Sequence, residues 1–133
     1  AGRGGADAIA YCWHGVEGYS KFGEYSGNGN ADGQFVYLGF KPAFVMVKTK
    51  SGADGSWSMY DNVRQPQNPN MNTLVADGQA AQVTSGNNMD FLVNGFKCRD
   101  NGSINNGSGN VYLYMAFAEH PFGGENTAPA TGL

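Results

Sequence analysis

The sequence predicts an all-β fold: an antiparallel β-sandwich of the jelly-roll or concanavalin-like kind. Three observations carry that expectation. Glycine supplies 21 of the 133 residues and 13% are aromatic, the composition of a packed, turn-rich chain. Gly, Asn, Asp or Pro interrupts almost every stretch before three helical turns could form, so no helical period is sustained. Between these breaks lie short runs rich in Val, Phe, Tyr and Trp, and many short strands at such spacing suit stacked antiparallel sheets.

The first strand is read at 8–16, where Ile9, Tyr11 and Trp13 alternate with Ala8, Ala10 and Cys12. A second follows at 19–25. Residues 34–50 read as a hairpin. In 34–40 Val36 and Leu38 alternate with Phe35 and Tyr37, Lys41-Pro42 turns the chain, and 43–50 (AFVMVKTK) returns. The turn-rich link 51–55 (SGADG) leads into 56–61, where Trp57 and Met59 share one face and Ser58 and Tyr60 the other. A short strand is placed at 73–76. In 90–99 the pair Asn94-Gly95 is the strongest two-residue hairpin signal in the chain and splits it into DFLV and FKCR.

A polar loop at 100–110 (DNGSINNGSGN) precedes the last strand, 111–119. There Val111, Leu113, Met115 and Phe117 form one apolar face and Tyr112, Tyr114, Ala116 and Ala118 the other. A strand apolar on both faces belongs in the middle of a sheet, and the small alanines imply close packing on the second face. Pairing 8–16 with 111–119 would bring the two ends of the domain together.

The length is one domain's worth, enough to bury about two-thirds of the surface that the unfolded chain exposes. The sandwich is assigned to 8–122, between an N-terminal arm at 1–7 and a C-terminal arm at 123–133 (GGENTAPATGL) whose composition has little to bury. A start of Ala-Gly-Arg-Gly-Gly without Met reads as processed, excised or engineered. Charged residues are 14% and the net charge is -3, which argues against a nucleic-acid partner. No apolar run approaches the roughly 20 residues of a membrane span. A Cys12–Cys98 disulfide would in the entropic view add about 4–5 kcal/mol, yet each cysteine sits in an apolar strand pattern. The reading is two free, buried thiols.

Catalytic and metal motifs are missing from the string: it holds no Gly-x-Ser-x-Gly, phosphate loop, HExxH or zinc spacing. Pairing of the first and last strands would gather His14, Glu17, Glu119 and His120, but the simpler reading places both histidines at strand ends in solvent. The carboxylates Glu17, Glu24, Asp32, Asp61, Asp90 and Glu119 are scattered, with no pair set to flank a scissile bond. The loop 26–33 (SGNGNADG) resembles half of a calcium loop at Asn28, Asn30 and Asp32, without the closing Glu. Such a string more often makes Asx turns. The expectation is no catalytic residue, no metal and no cofactor. Aromatic rings beside amide side chains can hold a sugar, the ring stacking on its face and Asn or Asp taking its hydroxyls. The ligand-binding candidates are therefore Trp57, Tyr60, Tyr25, Asn28, Asn30 and Asp32, with Tyr19 nearby.

The stretch YCWHGVEGYSKFGEYSGNGNADGQFVYLGFKPAFVMVK, followed by GSWSMYDNVRQPQNPN, DFLVNGFKCR and VYLYMAFAEHPFGG, resembles a domain of tailed-bacteriophage virion proteins. That domain often stands at the C-terminal end of tail-fibre-like chains, and its function is unknown. The resemblance covers nearly all of the chain, from Ala8 to Gly124. It implies a place on the outer surface of a virion and a non-enzymatic role, first in adhesion to a host-surface glycan or receptor. The alternative is a decoration or fibre-forming subunit that self-assembles through its terminal arms. Identical subunits or other virion proteins are the partners implied, with a surface glycan under the first reading.

Overall fold

Among the described residues, turns separate eight strands, and pairing between strands distant in the chain sorts them into two sheets. The computed structural model describes residues 10–52, 55–86 and 89–121; the arms expected at 1–7 and 123–133 lie outside them. The strands are β1 (Ser20–Ser26), β2 (Phe35–Tyr37), β3 (Pro42–Ser51), β4 (Ser58–Asp61), β5 (Leu74–Val75), β6 (Met89–Leu92), β7 (Gly95–Cys98) and β8 (Val111–Ala118). There is no helix among the described residues. One sheet has five strands in the order β1-β8-β3-β4-β5, the other three in the order β2-β7-β6. Every pairing is antiparallel.

The strand with two apolar faces lies, as its pattern predicts, inside the larger sheet. β8 pairs with β1 from Ser20↔Phe117 to Ser26↔Val111, and with β3 from Pro42↔Ala118 to Ser51↔Val111. That leaves no edge for 8–16. Residues 8 and 9 lie outside the described residues, 10–15 form no strand, and Val16 only bridges Ser20. The alternation of aromatics there serves another end: Trp13 stacks on Phe22 at 5.8 Å and meets Phe117 edge-on at 6.5 Å. The segment lies across the outer face of β1 and β8 rather than pairing with β8.

The expected hairpin at 34–50 is also corrected, because β2 and β3 belong to different sheets. The chain leaves β2 at Gly39, whose φ is 88°, a left-handed turn that glycine makes without strain. The amides of Leu38 and Gly39 both donate to Asn94 O, at 2.9 and 3.1 Å. The hairpin in 90–99 does form, one residue earlier than its Asn-Gly signal: Leu92 pairs with Gly95, so Val93 and Asn94 make the turn and Gly95 starts β7. Neither cysteine is in a disulfide; Cys98 is buried as expected, but Cys12, outside any strand, is exposed.

One core fills the space between the inner faces. Val45, Val47, Tyr60, Tyr112 and Ala116 of the large sheet meet Met89, Phe96 and Cys98 of the small one, all fully buried. Tyr25 and Tyr114 approach the Phe96 ring edge-on, at 5.8 and 5.7 Å between centroids. Each such side chain is worth about 1.5–3 kcal/mol of burial. The small sheet presents its opposite face to solvent, and so does much of the large one.

Candidate functional site

The polar loop before β8 is anchored in the interior by part of its length, while Asn101, Ser103, Ser108 and Gly109 stay exposed. Asn105 and Asn106 are wholly buried, and Asp100 and Asn110 nearly so. It closes one end of the core, where three tyrosine hydroxyls hold it. Tyr25 donates to Asn105 O at 2.6 Å, and Tyr60 accepts from Asn105 Nδ2 at 3.4 Å. Tyr112 donates to Ser103 O at 2.7 Å while accepting from Gly107 N at 2.8 Å. Two of the expected ligand-binding rings are thereby accounted for. Tyr25 and Tyr60, 7% and 0% exposed, present no face to a solute, and burial raises both hydroxyl pKa values.

The loop after β1 is organised from the neighbouring buried asparagine, Asn106. Asn106 Nδ2 donates to Asn28 Oδ1, Asn30 O and Asp100 O, between 2.7 and 2.9 Å, and its Oδ1 accepts the Asn28 amide at 3.0 Å. Asn28 Oδ1 then accepts the amide of Asn30, and Asn30 Oδ1 that of Asp32. The alternating oxygens that resemble a calcium loop are engaged in successive Asx turns. The Asp32 carboxylate lies 2.6 Å from Lys97 Nζ and 3.5 Å from Arg99 Nη1. Its hydrogen bond to Lys97, then the charge of Lys97, hold it below the usual carboxylate range.

Asp32 thus adjoins the outer face of the three-stranded sheet, a surface that the sequence reading did not single out. Register places Phe35, Lys97 and Asp90 in one row and Tyr37, Gly95 and Leu92 in the next. The Phe35 ring folds over Gly95, where an added Cβ would come within 3.0 Å of it. Tyr37 is 59% exposed and Phe35 38%. Lys21 Nζ stands 5.1 Å from the Tyr37 ring centroid and donates to Tyr37 O at 2.9 Å. Arg99 also contacts Asp90 at 3.1 Å, so Lys97, Asp32, Arg99 and Asp90 form a chain of alternating charge beside the rings. The available signal was the pair of large aromatics opposite Val36 and Leu38. The sequence reading used them only to place a strand.

Trp57 lies elsewhere. On the outer face of the five-stranded sheet, register lines up Phe22, Met115, Met46, Met59 and Leu74 across all five strands. A groove of about 630 Å³ runs over Met46, Met115 and Leu113, with Tyr11, Trp13 and Trp57 among the residues that line it. None of Asn28, Asn30 and Asp32 lines it. The six sequence candidates therefore divide among the core, the loop beside the small sheet, and this groove.

Among the other carboxylates, Glu24 meets Lys50, Asp61 meets Arg64 and Glu119 meets Lys41. His14 and His120 are exposed, and no three His, Cys, Asp or Glu side chains gather as a metal site among the described residues. No helix among them is long and apolar enough to cross a membrane.

Against known proteins, the model of the family described as Domain of unknown function (DUF7483) matches residues 1–121. No curated protein and no solved structure matches.

Proposed function

The chain belongs to the DUF7483 family, and we propose that it is a non-enzymatic surface module of a bacteriophage virion that holds a host-surface glycan on the outer face of its three-stranded sheet. The virion context rests on the sequence resemblance; the site rests on one observation. Exposed rings, Tyr37 and Phe35, stand beside a surface array of carboxylates and cations, Asp32, Asp90, Lys97 and Arg99. A ring stacks on the apolar face of a pyranose, carboxylates accept from its hydroxyls, and Lys or Arg donates to them. Because the charges alternate in sign, an uncharged sugar with vicinal hydroxyls suits the array better than an acidic one. Asn28 and Asn30 support the surface by fixing Asp32. Weak single sites of this kind become effective when many copies bind together.

The alternation of β1, β2 and β3 between sheets, beside β8 and β7, supports a jelly-roll reading of the β-sandwich, with β4 and β5 extending it beyond β3. The test is a glycan array probed with the wild type, Tyr37→Ala and Trp57→Ala. Loss of about tenfold or more in apparent affinity is expected for Tyr37→Ala, with Trp57→Ala unchanged. No signal from the wild type, or a loss confined to Trp57→Ala, would refute the assignment.

A further inference from the structure

A hollow of about 370 Å³ lies beside Tyr37, between the turn that opens β1 and the link from β2 to β3. We propose that it holds the next residue of a neutral oligosaccharide whose neighbouring ring stacks on Tyr37. The proposal rests on the glycan reading and deepens it, from a single sugar to a ligand of at least two residues. The volume falls within the roughly 300–1,000 Å³ of small-molecule sites. Tyr37 belongs to both surfaces: it lines this hollow, and two residues from Phe35 on one strand it shares the outer face of the small sheet.

Glu17 sets the chemistry. Among the described residues, every other Asp and Glu side chain meets a cation or accepts a hydrogen bond. Glu17, exposed and lining the hollow, does neither among them. Its backbone is nonetheless held. The amides of Tyr19 and Ser20 both donate to Val16 O, at 3.0 and 2.8 Å, closing a tight turn through Glu17 and Gly18, whose φ is 69°. A carboxylate so placed, with both oxygens open, can accept from two adjacent hydroxyls. Half-buried Phe40 lines the same hollow and offers an apolar surface to the C–H face of a sugar. Lys21, also in the lining, donates to Tyr37 O at 2.9 Å and has further N–H groups for a hydroxyl. Its positive charge opposes an ammonium ligand, the other partner that a carboxylate beside an aromatic ring would suit.

Calorimetric titration with glucose, galactose and mannose, and with their neutral di- and trisaccharides, tests this apart from the glycan reading itself. The wild type should bind the disaccharide of its preferred sugar about tenfold more tightly than the monosaccharide. Glu17→Ala should lose that gain with an unchanged circular dichroism spectrum, because the side chain is exposed. Tyr37→Ala should weaken the binding of both. A wild type that gains nothing from the second residue, or a gain that survives Glu17→Ala, would overturn the second subsite and leave the Tyr37 face standing. No binding of any of these sugars by the wild type would overturn both. A preference for glucosamine over glucose that Glu17→Ala abolishes would also overturn the assignment, since the hollow would then serve an ammonium ligand.

Discussion

Tyr112 shows how a single hydroxyl can decide the shape of a loop. It donates to Ser103 O and accepts from Gly107 N and Asn110 Nδ2, at 2.7, 2.8 and 3.2 Å. Phenylalanine there would keep the ring and leave the buried Gly107 amide and the Asn110 side-chain amide without this acceptor. Tyr112→Phe is therefore expected to cost about 2–3 kcal/mol, against about 1–2 for Tyr25→Phe, which loses the bond to Asn105 O. Urea midpoints with unchanged m-values would check the order. The residue types were readable beforehand, since buried tyrosines need partners and an Asn-rich loop supplies them. Which tyrosines turn inward was not, because strand alternation gives two faces without saying which one is covered.

At the scale of elements, the small sheet shows how an edge is closed. β6 has β7 on one side only, and its other side is met by side chain and backbone of the segment before it. Asn68 accepts from Phe91 N and donates to Phe91 O, both at 2.9 Å, and Asn70 exchanges backbone bonds with Met89 at 2.7 and 3.0 Å. This imitates a further strand and leaves fewer edge groups available to another chain. Asn68→Ala should destabilise by about 1 kcal/mol and speed exchange of the Phe91 amide. Asn68→Asp, which keeps the acceptor and loses the donor, should protect that amide more than alanine does. Nothing in QPQNPN announces the role, for the partner strand lies some twenty residues further on.

The whole molecule carries a pH dependence that follows from its core. Burial pushes the Cys98 thiol from 9.0 up to about 12, and chiefly burial raises Tyr25 and Tyr60 above 10.0. The folded chain thus keeps protons that the unfolded chain releases above pH 9 to 10. Stability from these groups is complete below that point and falls as the pH rises toward 12, by up to about 1.4 kcal/mol per pH unit for each group. Urea midpoints measured from pH 8 to pH 11 should show that decline, the range bracketing the ordinary values of 9.0 and 10.0. Cys98→Ala, though less stable at neutral pH, should have the shallower slope between pH 9 and 10. A decline equally steep without the thiol would remove Cys98 from the explanation.

The sequence by itself determined most of the strands after residue 19, the central place of β8 and the hairpin near Asn94, because period, turn chemistry and a doubly apolar face are local properties. The alternation of 10–16 and of 34–50 was equally legible, yet it was satisfied by packing across a sheet and by strands in separate sheets. Only the tertiary structure decided that Tyr25 and Tyr60 hold a buried loop, that Asp32 stands beside Tyr37, and that Trp57 faces an apolar groove. Those are contacts across the sheets and between strands distant in the chain, and no local pattern of residues encodes which face meets which.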